Sequence, residues 1–365
     1  MRAAVYRGVG RMAVEELPTP RVTPGTVLVR VKACALCGSD MRTFRHGHTA
    51  ITRPTVLGHE TVGEIIETAP DVTGYQAGQR VAVTPGVGCG RCSCCLSGWQ
   101  NMCRRRQTIS QHYNGGFAEY VLIPEAAVRG GNLNLLPDGL SWLEASLAEP
   151  LACVLNAQEL LDIRLGQTVA VIGAGPLGCL HAEAARSRGA EKVFLINRSA
   201  ARLDLARSYG FDAYLSSDAC DCVQAVRDLT DGRGADVVIV AAGSAQAAVM
   251  GMEMAGRMGR VCMFAGLPKD DSMVSLDLNQ AHYRQISVIG AFSSAPRHNA
   301  LALSLIASGR IRVAPVLTHA APLERIEAAI AAAMSHQGMR VSISPCLNEL
   351  EQELRELPHI QIVGA

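Results

Sequence analysis

Two rhythms of apolar and polar residues divide this 365-residue chain. Over about the first 130 residues, TVLVRVKAC (26–34), TVGEIIETA (61–69), QRVAVTP (79–85) and FAEYVLIP (117–124) alternate or run β-branched, with Pro and Gly between them. Such patterning predicts short strands, and strands this closely spaced predict a β-barrel or partly open sandwich. From about Leu151 the period lengthens. TVAVIGAG (168–175) reads as a buried strand, PLGCLHAEAARSRG (176–189) as a helix closed by glycine, EKVFLIN (191–197) as a strand, and SAARLDLARSYG (199–210) as a second such helix. ADVVIVAAGS, GRVCMFAGL and QISVIGAFSS continue the series, giving six candidate strands if FDAYLSS (211–217) is included. Strands alternating with helices at this pace predict an α/β fold with a parallel, doubly wound sheet. After Ser294, helical patterns at 297–309 and 322–337 lead into RVSISPC (340–346), a strand free to rejoin the first domain. The last stretch, 348–365, predicts a short polar helix and an appendage.

Length alone suggests two domains with real cores. A formal charge of +1 without long charge blocks argues against nucleic acid or an anionic membrane as partner, and leaves a small molecule as the expected one. There is no apolar run of the roughly 18 residues that span a bilayer, and MRAAVYRGVG carries no apolar leader core, so a cytoplasmic protein is expected. Thirteen cysteines is an odd number for a disulfide framework, and five of them fall between Gly86 and Cys103. Clustered thiols in a reducing compartment bind metal more often than they bridge. Most of the other eight, Cys37 excepted, lie in apolar surroundings and are expected to be inert core residues.

In VAVIGAGPLG, Gly173, Gly175 and Gly178 follow a strand and open a helix, with Pro176 and Leu177 completing the turn. The first glycine permits the turn, the second admits a pyrophosphate, and the third lets helix and strand pack closely. This is a dinucleotide site. At the end of the next strand, where a carboxylate would hold both ribose hydroxyls of NAD, stand Asn197 and Arg198, with Arg202 one turn on. Loss of the acid and gain of a guanidinium favour NADP; the alternative is that Asn197 bonds a plain 2′-hydroxyl while both arginines lie in solvent.

CALCGSD, VLGHE, the cysteine stretch, LAEPLA and VAVIGAGPLG occur in the order and spacing of one family. Over roughly residues 1–346 the chain resembles the zinc-dependent medium-chain dehydrogenase/reductases, and is most similar to their polyol branch of sorbitol and threonine dehydrogenase-like enzymes. The resemblance implies a GroES-like catalytic domain built from 1–150 and 295–365, with a structural zinc lobe at about 86–106. It further implies a Rossmann domain inserted over 151–294, a cleft between the two, two zinc ions per chain, and a homodimer or homotetramer.

The implied activity is interconversion of a secondary alcohol of polyol, cyclitol or amino-sugar type with its ketone, by hydride transfer. Cys37 and His59 match catalytic zinc ligands, and a carboxylate, Glu60 or Glu149, completes the set; which of the two binds directly stays open. Cys34 mimics a ligand pair with Cys37 but falls outside the family's ligand position. Asp40 matches the carboxylate that orients the ligating imidazole; the alternative is an ordinary turn or helix-cap aspartate. Ser39 matches the hydroxyl that accepts the alcohol proton. The relay histidine of alcohol dehydrogenases is Arg42 here, which cannot accept a proton, so the relay ends in water or a carboxylate such as Glu60. Arg42 then either binds an anionic group on substrate or cofactor or is simply solvated. Cys89, Cys92, Cys95 and Cys103 match the four-sulfur structural site, which leaves no open position for chemistry. Cys94 is surplus and is expected to point outward. Two other readings remain: a catalytically silent NADPH- and zinc-binding protein of the same fold, and a cysteine knot that presents Arg104 to Arg106 to nucleic acid.

Overall fold

Strand β1 (Val27–Ala35) is buried along nearly its whole length because it has neighbours on every side. It pairs antiparallel with β2 (Glu60–Thr68), with the short strand Tyr120–Ile123, and at its far end with Arg340–Ser344. In this computed structural model, which describes residues 1–268 and 270–364, these strands belong to an eight-stranded sheet. Register matters here more than strand count. Ala35 lies opposite both Glu60 and Ser342, so the end of β1, the start of β2 and the middle of the closing strand meet at one place. Two residues beyond Ala35, Cys37 caps helix α1 (Gly38–His46), and His59 immediately precedes β2.

The described residues form two units. The first comprises Met1–Ala152, Ser293–Gly309 and Leu317–Ala365, and its core gathers Val29, Val31, Cys34, Ile65, Phe117 and Ile343, among others. The tail left unexplained by sequence is a clamp on this unit. Glu349 pairs with Lys32 at 2.6 Å and with Arg30, and Glu353 accepts the backbone N–H groups of Trp142 and Leu143 at 3.0 Å each. Gln361–Ile362 then adds a parallel strand to the edge of Leu317–Pro322.

The second unit comprises Cys153–Phe292 and Arg310–Val316. Its strands are β3 (Thr168–Ile172), followed by helix α2 (Pro176–Ser187), then β4 (Lys192–Asn197), β5 (Ala213–Ser216), β6 (Ala235–Val240), β7 (Ala255–Met263) and β8 (Ser287–Gly290). Among the described residues they form one parallel sheet in the order β5-β4-β3-β6-β7-β8, the doubly wound arrangement. The single helix expected over 199–210 is split: Ala200–Asp204 is helical, and a tighter 3-10 turn at Arg207–Tyr209 ends at Gly210, φ 66°.

A second difference concerns the chain after residue 294, all of which was expected in the first domain. The segment Arg310–Val316 returns to the second unit instead. Ile311 and Val313 are buried, and Arg312 grips the buried Glu183 at 2.7 Å and the carbonyl of Tyr209 at 2.9 Å. Short apolar segments without period are hard to place by pattern, which is why the return was not legible. No helix among the described residues is long and apolar enough to cross a membrane.

The glycines of the β3–α2 turn make separable demands. Gly173 has φ 113°, and a Cβ on Gly178 would collide with the Gly173 carbonyl oxygen, whereas a Cβ on Gly175 would meet nothing within 4 Å. We therefore expect Gly178→Ala to destabilise the protein by about 1–3 kcal/mol through overpacking. Gly175→Ala should cost less than about 1 kcal/mol. Urea denaturation followed by circular dichroism compares the two; equal midpoints would contradict the close-packing account.

Candidate active site

Helix α1 exists where it does because Asp40 makes two bonds. One carboxylate oxygen accepts the Cys37 backbone N–H at 3.0 Å, closing the helix start, and the other accepts from His59 Nδ1 at 3.2 Å. The helix-cap and imidazole-orienting roles considered for Asp40 are thus the same residue acting twice. With Nδ1 committed, Nε2 is the free ring nitrogen, and Ser39 Oγ lies 3.4 Å from it. Donor atoms of Cys37, His59 and Glu60 all fall within 4.8 Å of one another.

The third donor is held from behind. Arg340, 5 % exposed, forms an ion pair with Glu60 Oε1, while Glu60 Oε2 is buried and has no hydrogen-bond partner among the described residues. A buried carboxylate oxygen left unpaired is costly unless something fills its place. Glu149, also buried, stands outside the three-donor group, although its charge reaches both Glu60 and Arg340. Cys34 is likewise apart: it is fully buried against Thr61 Oγ1 at 3.4 Å, and burial drives its thiol pKa up.

Electrostatics in this cluster favour positive charge. Burial pushes the His59 ring down, but the charges of Asp40 and Cys37 outweigh it and hold the imidazole well above its ordinary value. Burial pushes the Cys37 thiol up, but the facing His59, with help from Arg340, brings it down to about 6. Burial, helped by the charges of Cys37 and Glu149, holds the Glu60 carboxyl well above the usual range, against the pull of Arg340. A pocket that places thiolate, imidazole and an unpaired carboxylate oxygen together suits a borderline divalent metal with one position open.

The other cysteine group has different chemistry. The sulfurs of Cys89, Cys92, Cys95 and Cys103 lie within 4.8 Å of one another, with Cys95 and Cys103 buried. The N–H of Cys89 donates to Cys103 Sγ at 3.4 Å, and backbone N–H groups of Arg91 and Cys92 bring the Cys89 thiol down to about 6. Four thiols whose sulfurs converge, with backbone donors aimed at them, fit a closed tetrahedral metal shell. Cys94 is outside the group, as expected, and half-buried.

In the second unit, α2 begins at Gly175 with open space in front of it and Pro176 at its first position. A free helix N-terminus beside a glycine without steric obstruction fits a pyrophosphate. Asn197 at the end of β4 braces this turn: its Oδ1 accepts the Ala174 N–H at 3.2 Å, and its Nδ2 donates to the Ser199 carbonyl at 3.1 Å. Arg198 is exposed beside it, and Arg202 is half-buried, its pKa lowered by burial.

Residues 23–130 match the alcohol dehydrogenase GroES-like domain family, and residues 176–308 match the zinc-binding dehydrogenase family. The chain is 33 % identical to a sorbitol dehydrogenase of Halalkalibacterium halodurans, across 94 % of this chain and 99 % of that protein. A D-arabitol-phosphate dehydrogenase of Enterococcus avium is 32 % identical, across 92 % and 94 %. Among solved structures, a zinc-binding dehydrogenase from Sinorhizobium meliloti bound to NADP superposes with a TM-score of 0.88 at 32 % identity, covering 94 % of this chain and 99 % of that one. The chain belongs to the zinc-dependent medium-chain dehydrogenase/reductase family, in its polyol branch. It is an oxidoreductase acting on CH–OH groups, with zinc and NAD(P) as the family's cofactors.

One residue of this dehydrogenase's site was missed by sequence reasoning. Arg340 was read only as the head of a closing strand, although a lone arginine opening the run RVSIS, buried at every position, was the available signal. Most of the cysteines outside the cluster are buried, as expected, and Cys220 is exposed. In native-state alkylation followed by mass spectrometry, we expect Cys220 to label readily in the metal-loaded dehydrogenase. A chelator should raise labelling of Cys89 and Cys92 on the order of tenfold or more. Cys34 and Cys262, whose thiols burial pushes up, the latter to about 12, should stay unlabelled until unfolding. Chelator-independent labelling of Cys89 and Cys92 would contradict a four-sulfur metal site.

Proposed function

We propose that the protein interconverts a polyol, cyclitol or amino-sugar hydroxyl and its ketone at the cluster of Cys37, His59 and Glu60, using NADP in preference to NAD. The observation that carries this reading is the convergence of those three donors within 4.8 Å, with the Ser39 hydroxyl 3.4 Å from His59 Nε2. Relatives named for sorbitol and D-arabitol phosphate support a polyol as the substrate class. Zinc, when bound, supplies a Lewis acid that acidifies a hydroxyl, and the nicotinamide supplies the two-electron acceptor.

The rest falls to side chains of this chain. Cys37, His59 and Glu60 are the proposed ligands, with Glu149 as a supporting charge outside the group. Asp40 keeps the His59 proton on Nδ1 and so presents Nε2 as a donor. Ser39 accepts the alcohol proton. Glu60 has one oxygen on Arg340 and the other in the donor set, so no oxygen remains to receive that proton, and the relay runs from Ser39 to water. Arg340 holds Glu60 in place and lowers the cost of a buried carboxylate.

Cys89, Cys92, Cys95 and Cys103 are the proposed holders of a second, structural zinc. On the nucleotide side, Gly173, Gly175, Pro176, Leu177 and Gly178 are proposed to cradle the pyrophosphate. Asn197 presents no carboxylate to repel a 2′-phosphate, and Arg198 and Arg202 supply the cations; the NADP-bound neighbour supports this choice. A cytoplasmic homodimer or homotetramer is proposed, supported by the sheet-edge strand β8, whose Val288 is half exposed.

Two experiments test these assignments. Elemental analysis should give two zinc ions per wild-type chain and one in both Cys37→Ser and Cys103→Ser. The first variant should lose activity on the order of a thousandfold and keep its melting temperature, and the second should chiefly lose stability. One zinc in the wild type, or the reverse pattern, would overturn the division of labour. For the cofactor, Asn197→Asp should cut kcat/KM with NADP by on the order of 10- to 100-fold through like-charge repulsion while sparing NAD. A wild-type preference for NAD would sink the role given to Arg198.

A further inference from the structure

The face of α1 beyond Ser39 borders a cavity that the reaction as described does not use. It measures about 220 Å³ and is lined by Gly38, Arg42, Arg45 and His46 of α1 and by His336, with methionines 41 and 334 forming its apolar part. No Asp or Glu lines it, and Arg42 and Arg45 make no hydrogen bond or ion pair among the described residues. The one acid on α1, Asp40, is committed to the Cys37 N–H and to His59, so it does not neutralise the cluster. In a chain of formal charge +1, two unpaired guanidinium groups and two imidazoles around one hollow form a concentrated positive site. His336 comes to this cavity just past the end of helix Ile326–Met334, on a left-handed backbone, φ 57°, of the kind that commonly closes a helix.

We propose that this cavity binds the phosphate monoester of a phosphorylated polyol, whose hydroxyl some carbons away is the one oxidised. The inference rests on the dehydrogenase reading above and narrows its substrate class. Three observations lead to it. The cavity is smaller than the roughly 300–1,000 Å³ that encloses a whole ligand, so it takes one group of a larger molecule. Its donors suit a dianion with three acceptor oxygens better than a carboxylate, because two arginine forks can each engage two oxygens. Arg42 lies three residues after Ser39 on the same helix face, about one helical turn or 5 Å along the axis, so the phosphate and the reacting hydroxyl occupy neighbouring places along α1.

The zinc-loaded enzyme and the double variant R42M/R45M test this with a pentitol 5-phosphate and the free pentitol, by initial rates and by calorimetry without dinucleotide. In the wild type, kcat/KM should favour the phosphorylated substrate by on the order of 100-fold, and the double variant should remove most of that ratio. R42K/R45K should restore part of it. The calorimetric Kd for the pentitol phosphate should weaken in parallel. Equal kcat/KM for the two substrates in the wild type would overturn the proposal while leaving the dehydrogenase reading intact. A rise in the NADP KM of the double variant, equal for both substrates, would overturn it too, by assigning the cations to cofactor phosphate. Phosphate-dependent calorimetric binding that the variant loses, in a protein that turns over no alcohol, would sustain the cavity assignment and sink the dehydrogenase reading instead.

Discussion

A single buried carboxylate ties the reactive centre together. Asp40, 4 % exposed, accepts a backbone N–H from Cys37 and a ring N–H from His59, which belong to segments more than twenty residues apart in sequence. The first bond sets where α1 starts, and the second sets which imidazole nitrogen is available. Everything that α1 carries inherits its position from that start: Ser39 beside the donor set, and Arg42 and Arg45 one turn and two turns further along. Removing the carboxylate would leave two buried donors unsatisfied at once, so the centre and the helix depend on the same atoms.

Sheet register makes the second contribution. Pairing Ala35 with Glu60 on one side and with Ser342 on the other brings Arg340 to the carboxylate that needs a counter-ion. A one-residue slip of the closing strand would turn Arg340 to the opposite face. The four-cysteine group depends on no such long-range register. Its four sulfurs come from a span of fifteen residues, and the backbone N–H groups of Arg91 and Cys92 bring the Cys89 thiol down. The two cysteine-bearing sites therefore differ in origin: one is assembled by tertiary pairing, the other by local turns.

That difference accounts for what could be read from sequence. Cys89, Cys92, Cys95 and Cys103 were legible because their spacing is itself the geometry, and the β3–α2 glycines because each answers a steric demand between near neighbours in the chain. Cys37 and His59 were legible only through family motifs, since β1 and β2 must pair before they meet. Arg340 and the choice between Glu60 and Glu149 were not legible, because both depend on distances across the sheet. The return of Arg310–Val316 to the second unit escaped for the same reason: seven residues carry no period, and the Arg312–Glu183 bond that holds them spans 129 positions.

The closing strand has a further consequence for how the protein is made. Val27–Ala35 leaves the ribosome early, but its partner Arg340–Ser344 is synthesised some three hundred residues later. At about 5–20 residues per second that is a wait of roughly 15–60 s, during which the Cys34–Ala35 end of a strongly apolar strand lacks its partner from the closing strand. The second unit, nearly contiguous in sequence, can form most of its sheet in that interval. Biosynthesis thus reverses the order of the chain, with the middle maturing before the beginning, and the nascent N-terminal strands are where chaperone protection would matter most.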